Sequence, residues 1–145
     1  MFVDFRKAFD SVNQQLLLKK LPEHGINNHE LRWLKNYLTS RCPSVVYGSV
    51  QSAPQQIKSG VPQGSILGQI LFSIYINYLP NCLLQSKILL YADDAVLFHV
   101  DSNIGNISTV LNKGLRQLQS WTHLNKLCIH PVSYTHLTLP TSDLV

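Results

Sequence analysis

Hydrophobic and polar positions follow two different periods along this chain, and together the two periods predict an α+β fold. Apolar and polar residues alternate near the start of the sequence, which is the two-residue period of a half-buried β-strand. Two further apolar runs flank a short polar break and predict two strands joined by a tight turn. The predicted strands lie near residues 1–5, 87–92 and 95–100. Elsewhere apolar residues recur at helical spacing, so we expect helices packed on one face of an antiparallel sheet.

Capping residues set the expected ends of the first and last helices. Ser11 with Gln14 three residues later predicts a capping box before the amphipathic run Leu16–Leu21. Asp101 or Ser102 is expected to cap the last helix, whose apolar stripe repeats at helical spacing and indicates a core-facing surface.

A second amphipathic helix is predicted to begin at a cap formed by Asn27 or Asn28. Its leucines share one face, and its cations fall away from that face. Those cations are Arg32, Lys35 and Arg41. The pattern favours a solvated surface, and contact with nucleic acid is the alternative interpretation.

The middle of the chain combines short strand-like pieces with a loop of small residues. Val45–Ile57 predicts an accessory hairpin that includes a second strand-like piece near Ile57. Gly60–Ser65 then breaks the pattern with two glycines and a proline, which predicts a rigid loop that another backbone can approach closely. Ser65 or Gly64 is expected to cap the following helix. An ordinary loop-to-helix junction would look similar, whereas the functional interpretation is a helix N-terminus that lies against a nucleotide or phosphate backbone.

Two adjacent carboxylates, Asp93 and Asp94, occupy the polar break between the second and third predicted strands. Neighbouring like charges in an apolar segment are costly unless a cation or a basic group lies between them. The pair therefore indicates a metal site at the tip of a hairpin. The alternative is a surface turn, because Asp is also a favoured turn residue.

Composition narrows the class of protein without identifying a partner. With 145 residues, 45% of them hydrophobic and 14% charged, the chain has the size and composition of one globular domain. A net charge of +4 permits a polyanionic partner but does not require one. The three cysteines and six histidines show no ligand spacing, so we predict neither a zinc site nor a disulfide-linked partner.

No targeting or membrane segment is expected. The beginning of the chain lacks the order of charged and apolar regions of a signal peptide. The most apolar run, Ile66–Leu79, is short and carries polar residues, which indicates a core helix and not a membrane span. We therefore expect an intracellular protein with no membrane partner.

Three segments resemble the motifs of one family of enzymes, in the family's order. Phe2–Asp10 resembles the first palm motif of reverse transcriptases from non-LTR, LINE-type retrotransposons. Gly60–Gly68 resembles their second motif, and Tyr91–Asp94 resembles their third. One short motif is a weak signal, but three in order across about residues 1–130 are a strong one.

The resemblance implies a fold and a catalytic centre. It implies a polymerase palm-like sheet of the ferredoxin or RRM-like kind and the activity of an RNA-directed DNA polymerase. Asp4 and Asp93 are implied to be the principal ligands of two Mg²⁺ ions, with Asp94 beside them as a supporting ligand or neighbour. Two-metal nucleotidyl transfer and the preference of Mg²⁺ for carboxylate oxygens agree with these residue types.

The resemblance also implies how substrates are bound. Phe9 matches the bulky residue that crowds the sugar 2′-position and favours deoxynucleotides, and the backbone from Phe5 to Ala8 matches the triphosphate-binding segment. Gln63 and Gly64 match the loop that contacts the incoming nucleotide and the template. The implied partners are an RNA template, a DNA primer and a deoxynucleoside triphosphate. The alternative from another class is a non-catalytic nucleic-acid-binding remnant of a decayed element.

Two parts of the chain are expected to differ in origin. Residues 1–130 are expected to form a partial reverse transcriptase domain, the palm, with fingers and thumb missing, so that the isolated chain is inactive. Residues 131–145 are expected to be a non-native or disordered tail, because Val132–Thr141 resembles the read-through of a cloning adapter. The parent element would act in the cytoplasm and nucleus.

Overall fold

Helices and strands are interspersed along residues 1–130, the part of the chain that the computed structural model describes. The strands are β1 (Phe2–Asp4), β2 (Val46–Tyr47), β3 (Val50–Gln51), β4 (Lys87–Tyr91) and β5 (Asp94–Phe98). The α-helices are α1 (Ala8–Ser11), α2 (Gln14–Lys20), α3 (Asn28–Thr39), α4 (Ile66–Ile76) and α5 (Ile104–Leu124), with 3-10 turns at Leu21–His24 and Leu79–Cys82. The α+β class is confirmed, and the expected tail, residues 131–145, lies outside the described part.

The principal sheet has three antiparallel strands in the order β1-β5-β4. All three lie within two residues of their predicted positions, because their alternating burial is the pattern that the sequence displays. The register pairs Asp4 at the end of β1 with Asp94 at the start of β5. Sheet pairing therefore joins segments that are far apart in sequence.

The segment that follows α5 lies along the other edge of β1, which the sequence did not predict. Phe5 forms an antiparallel bridge with Ile129. The N–H of His130 donates a hydrogen bond of 2.8 Å to the carbonyl of Asp4. The end of β1 is therefore held on both edges.

The described residues divide into two compact units, residues 1–6 with 78–130, and residues 7–77. In the first unit α5 packs on β5, where Leu97 and Leu118 are fully buried. Gly114 of α5 allows the close approach, because a Cβ there would overlap the hydroxyl of Ser86 and would lie 3.4 Å from Leu97 Cδ2. The opposite face of the sheet is open to solvent, and on it Tyr91 is 84% exposed.

In the second unit α2, α3 and α4 enclose an apolar core. Its fully buried members include Leu17, Leu21, Leu38, Phe72 and Tyr75. Lys20 links α2 to α4: its Nζ donates to the carbonyl of Tyr75 at 2.7 Å and lies 4.5 Å from the centre of the tyrosine ring. Burial lowers the pKa of Lys20, and the nearby Glu23 partly opposes that shift. Within residues 1–130, every helix is either too short or too polar to span a lipid bilayer.

The accessory hairpin is shorter than predicted. β2 and β3 pair as a small antiparallel hairpin, with Val46, Tyr47 and Val50 exposed. The strand expected near Ile57 is wrong. The N–H of Ile57 bonds to the carbonyl of Arg41 at 3.1 Å in an irregular segment. Pro54 lacks the N–H that a continuous ladder needs, which accounts for the irregular pairing.

Side-chain hydrogen bonds identify the N-caps of α2, α4 and α5, and they confirm one of the three predicted caps. Ser65 caps α4, because its Oγ accepts from the N–H of Gly68 at 2.9 Å. The capping box at Ser11 is wrong: Ser11 ends α1, and Asn13 caps α2 instead. The cap expected at Asp101 or Ser102 is also wrong, because Asn103 caps α5. Asn competes equally well with Ser and Asp for the N-cap, so composition alone does not choose between neighbours.

Candidate active site

Asp4 and Asp94 are brought together by the register of the sheet. They are direct cross-strand partners in the antiparallel β1–β5 pair, and both are exposed. Side chains of directly opposed residues lie on the same face with their Cβ atoms about 5 Å apart. The two carboxylates therefore share the solvent-exposed face of the sheet, although they are separated by most of the chain.

Asp93 lies beside this pair in the turn between β4 and β5. The turn has two residues, Ala92 and Asp93, and is closed by the pairing of Tyr91 with Asp94. Ala92 has φ of +53°, a left-handed backbone conformation that residues other than glycine rarely adopt. The predicted hairpin is confirmed, and its register places Asp94 opposite Asp4 while Asp93, half-buried, occupies the turn itself.

The surroundings of the carboxylates suit a magnesium ion that substrate phosphates help to bind, better than a metal ion enclosed by protein ligands alone. Within residues 1–130, no hydrogen bond or ion pair engages the side chains of Asp4, Asp93 and Asp94, so their oxygens can act as ligands. The same residues contain no group of three or more His, Cys, Asp or Glu side chains arranged to hold a metal. Mg²⁺ is usually bound by one or two carboxylates together with substrate phosphates. A pair of opposed aspartates therefore fits Mg²⁺, and the donor set does not fit structural zinc.

Phe5 belongs to the same unit as the carboxylates but has a different environment. It follows Asp4 directly and is 3% exposed, so its side chain is part of the core. What it can offer a ligand is its backbone, the part that the family resemblance implies. Lys7, two residues on, is the N-cap of α1 and has φ of +49°.

Phe9, Gln63 and Gly64 lie in the other unit, and two backbone hydrogen bonds tie their segments together. The N–H of Val61 donates to the carbonyl of Phe9 at 2.9 Å, and the N–H of Gly60 donates to the carbonyl of Val12 at 2.7 Å. Gly60 has φ of +85°, and a Cβ there would lie 2.9 Å from the Cα of Asp10. The start of the loop is therefore pressed against α1.

The ring of Phe9 is also fixed, by packing against another aromatic ring. It stacks on the buried ring of Phe72 from α4, with ring centres 4.7 Å apart and planes inclined by 28°. Phe9 is itself half-buried, so part of its surface stays accessible. This aromatic pair fixes the orientation of Phe9.

Gln63 and Gly64 form the exposed tip of the loop. Gly64 has φ of +80° and nothing within 4 Å of a Cβ position, so backbone conformation and not crowding requires glycine there. Beyond the tip, Ser65 Oγ donates to the carbonyl of Pro62 at 2.8 Å. The loop thus has two fixed ends and an open tip.

Gln14 is a buried polar residue in this unit whose role the sequence did not reveal. It is 5% exposed, and its Nε2 donates to the carbonyl of Gly60 at 3.0 Å and to that of Leu38 at 3.2 Å. It thereby joins the end of α3 to the start of the loop. The sequence predicts Gln14 as part of a capping box, because nothing in its neighbours distinguishes a buried bridging amide from a capping one.

Comparison with known proteins decides the family. Residues 1–135 match the family described as reverse transcriptase (RNA-dependent DNA polymerase). The chain belongs to the reverse transcriptase family.

Relatives of this reverse transcriptase chain are encoded by transposons. It is 31% identical over 144 residues to the probable RNA-directed DNA polymerase from transposon BS of Drosophila melanogaster, a match covering 90% of this chain and 15% of that protein. It is also 31% identical over 127 residues to the RNA-directed DNA polymerase from mobile element jockey of Drosophila funebris, covering 83% of this chain and 14% of that protein.

A third relative is the probable RNA-directed DNA polymerase from transposon X-element of Drosophila melanogaster, 36% identical over 87 residues, with 56% of this chain and 9% of that protein covered. The chain thus spans 15% or less of the length of these relatives. The predicted resemblance to reverse transcriptases of non-LTR, LINE-type retrotransposons is confirmed.

Proposed function

We propose that this chain carries the palm of an RNA-directed DNA polymerase that extends a DNA primer on an RNA template during retrotransposition. The observation that carries the proposal is the cross-strand pairing of Asp4 with Asp94, with Asp93 adjacent in the turn. Membership of the reverse transcriptase family supports the reaction class. The antiparallel β1-β5-β4 sheet, with α5 on one face and the carboxylates on the other, supports a palm-like fold for residues 1–130.

In the proposed site Asp4, Asp93 and Asp94 would hold two Mg²⁺ ions through their carboxylate oxygens. When bound, such ions favour ionisation of the primer 3′-hydroxyl and neutralise the charge that develops on the leaving pyrophosphate. Asp4 is positioned by strand pairing on one edge and by His130 on the other. The resemblance favours Asp93 as the second principal ligand. Asp94 is the direct cross-strand partner of Asp4, which supports a role for Asp94 as a supporting ligand.

The remaining proposed roles concern the nucleotide. Phe9 would contact the sugar at its 2′-position. Its stack on Phe72 supports that role, because a side chain that crowds the 2′-position must keep a fixed orientation. Gln63 and Gly64 would contact the deoxynucleoside triphosphate and the template from the open tip of their loop. The backbone from Phe5 to Ala8 would contact the triphosphate.

The proposal is tested in a longer polymerase, because this chain spans 14% of the length of the jockey protein. The matched segment of the Drosophila funebris jockey polymerase is replaced by the corresponding residues of this chain. Extension of a primer on an RNA template is then measured with deoxynucleotides and Mg²⁺. Asp4→Asn and Asp93→Asn should each lower the rate by about a hundredfold or more, since each removes charge from the site of catalysis.

Asp10→Asn is the matched control, because it makes the same chemical change at an exposed residue of α1 that is not a proposed ligand. It should leave the rate within about threefold of the unsubstituted chimera, the range of ordinary surface changes. Asp94→Asn distinguishes between the two roles left open for Asp94, that of a supporting metal ligand and that of a neighbour of the ligands. An active chimera whose rate survives both Asp4→Asn and Asp93→Asn would contradict the proposal.

A further inference from the structure

Helix α3 carries aromatic rings at four-residue intervals along one side. His29, Trp33 and Tyr37 lie on that side, and we refer to them as the aromatic strip. The rings of Trp33 and Tyr37 are almost parallel, with planes inclined by 9° and centres 5.4 Å apart. Trp33 and Tyr37 of the strip therefore form an ordered stack and are not independent side chains.

The strip faces solvent beside an open groove. Trp33 is 56% exposed. The groove has a volume of about 520 Å³ and is lined by Ile26, His29, Glu30, Trp33, Leu34 and Leu67. A large aromatic ring left exposed next to apolar side chains is typical of a binding surface.

The strip also leads to the loop that is proposed to contact nucleotide and template. The hydroxyl of Tyr37 donates to the Oγ of Ser65 at 3.3 Å. Ser65 directly follows Gln63 and Gly64, the exposed tip of that loop. A strand that stacks on Trp33 and Tyr37 would therefore run towards the tip within one compact unit.

The charges of α3 agree with a polyanionic occupant. Arg32 and Lys35 are exposed, and Glu30 is the only acidic residue of the helix. Non-specific binding of single-stranded nucleic acid combines cations that follow the backbone with aromatic rings on which bases stack. The apolar lining alone would also suit a protein, but the stacked rings, and the exposed Arg32 next to Trp33 in sequence, favour a nucleic acid.

We propose that the aromatic strip is a stacking surface for unpaired bases of the single-stranded RNA template as it approaches the Gln63–Gly64 tip. The proposal rests on the proposed polymerase function and names a binding surface outside the carboxylate site. Trp33 and Tyr37 would stack the bases, and Arg32 would contact a phosphate. Because every base has an aromatic face, binding would be tolerant of sequence.

Binding is measured on the full chain without Mg²⁺ or deoxynucleotides, so that the carboxylate site makes no contribution. The chain has two tryptophans, Trp33 and Trp121, so Trp121→Phe leaves Trp33 as the single fluorophore. A short oligouridylate should quench its fluorescence, and the same RNA in a duplex should quench it far less. The affinity of the chain for the oligouridylate is then compared among variants by fluorescence anisotropy.

Trp33→Leu should weaken binding about tenfold, because it keeps an apolar side chain but removes the stacking face. Trp33→Phe should recover most of the affinity. Tyr47→Ala is the matched control, since it removes another exposed ring, 86% accessible, from β2. Arg32→Gln should reduce the slope of log affinity against log salt by about 0.7, the value for one phosphate contact on a single strand.

Equal affinity of Trp33→Leu and the unsubstituted chain would overturn the proposal, as would equal quenching by duplex and single strand. Self-association of the chain that Trp33→Leu abolishes, without RNA binding, would show instead that the strip is a protein interface. The carboxylate proposal is separable, because Asp93→Asn should bind the oligouridylate normally. Failure of the unsubstituted chain to bind the oligouridylate, together with normal primer extension by the chimera, would overturn this inference alone.

Discussion

Ala92 adopts a left-handed backbone conformation immediately before the two adjacent aspartates. Its φ of +53° costs a residue with a Cβ about 1 kcal/mol relative to glycine. The turn persists because the five residue pairs of β4 and β5 determine its ends. Strain is thus stored beside the proposed catalytic carboxylates.

Replacing Ala92 by glycine should relieve that strain. We expect Ala92→Gly to raise the free energy of unfolding by about 1 kcal/mol, measured by urea denaturation of the full chain. The converse control is Gly64→Ala, at φ of +80° with open space around the Cβ position, which should lower it by about 1 kcal/mol. A destabilised Ala92→Gly variant would show that the turn is not strained at this residue.

At the scale of elements, the strands were predictable and several contacts between elements were not. β1, β4 and β5 follow from alternation of apolar and polar residues, which is a local signal. The bridge between Phe5 and Ile129 pairs residues from opposite ends of the described chain, and too few residues take part to leave a periodic signal.

The candidate site shows the same division. The three aspartates and the exposed loop tip were predictable because their chemistry is visible in the sequence. The pairing of Asp4 with Asp94, and not with Asp93, was not predictable, because a shift of one residue in the register leaves the sequence composition unchanged. Gln14 was missed because its burial depends on how α2, α3 and the loop assemble.

The contact between α5 and the turn before β4 should be sensitive to a single methyl group. Gly114→Ala would drive a Cβ into the hydroxyl of Ser86, which is buried and has no hydrogen-bond partner among the described residues. We expect a loss of about 2 kcal/mol in the free energy of unfolding, although alanine is the better helix former.

The double variant Gly114→Ala with Ser86→Gly should recover most of that loss, because it removes both crowded atoms of Ser86. Urea denaturation of the single and double variants measures the coupling. If the two substitutions act additively, the close approach of α5 at Gly114 is not the cause of the destabilisation.

For the whole molecule, the open face of the sheet is the feature that connects fold to function. Beside the carboxylates it presents a cross-strand row of apolar residues, Phe2, Val96 and Leu89, of which Phe2 is 78% and Leu89 63% exposed. The chain spans 15% or less of the length of the transposon BS and jockey proteins, so we expect the proposed primer extension to need more of the polymerase than these residues. The carboxylates proposed to contribute to cation binding, in contrast, all lie in the described sheet and its β4–β5 turn.

The most direct test of the central claim is therefore to map a divalent cation on the chain itself. Paramagnetic Mn²⁺, which takes the same oxygen ligands as Mg²⁺, is titrated into isotope-labelled chain while amide signals are followed by two-dimensional NMR. The control is Asp101→Asn, which alters the acidic residue paired with His99 at 4.0 Å. The account predicts that the amides of Asp4, Asp93 and Asp94 broaden first, that Asp4→Asn abolishes the effect and that Asp101→Asn does not. Broadening centred on Asp101, or unchanged by Asp4→Asn, would contradict it.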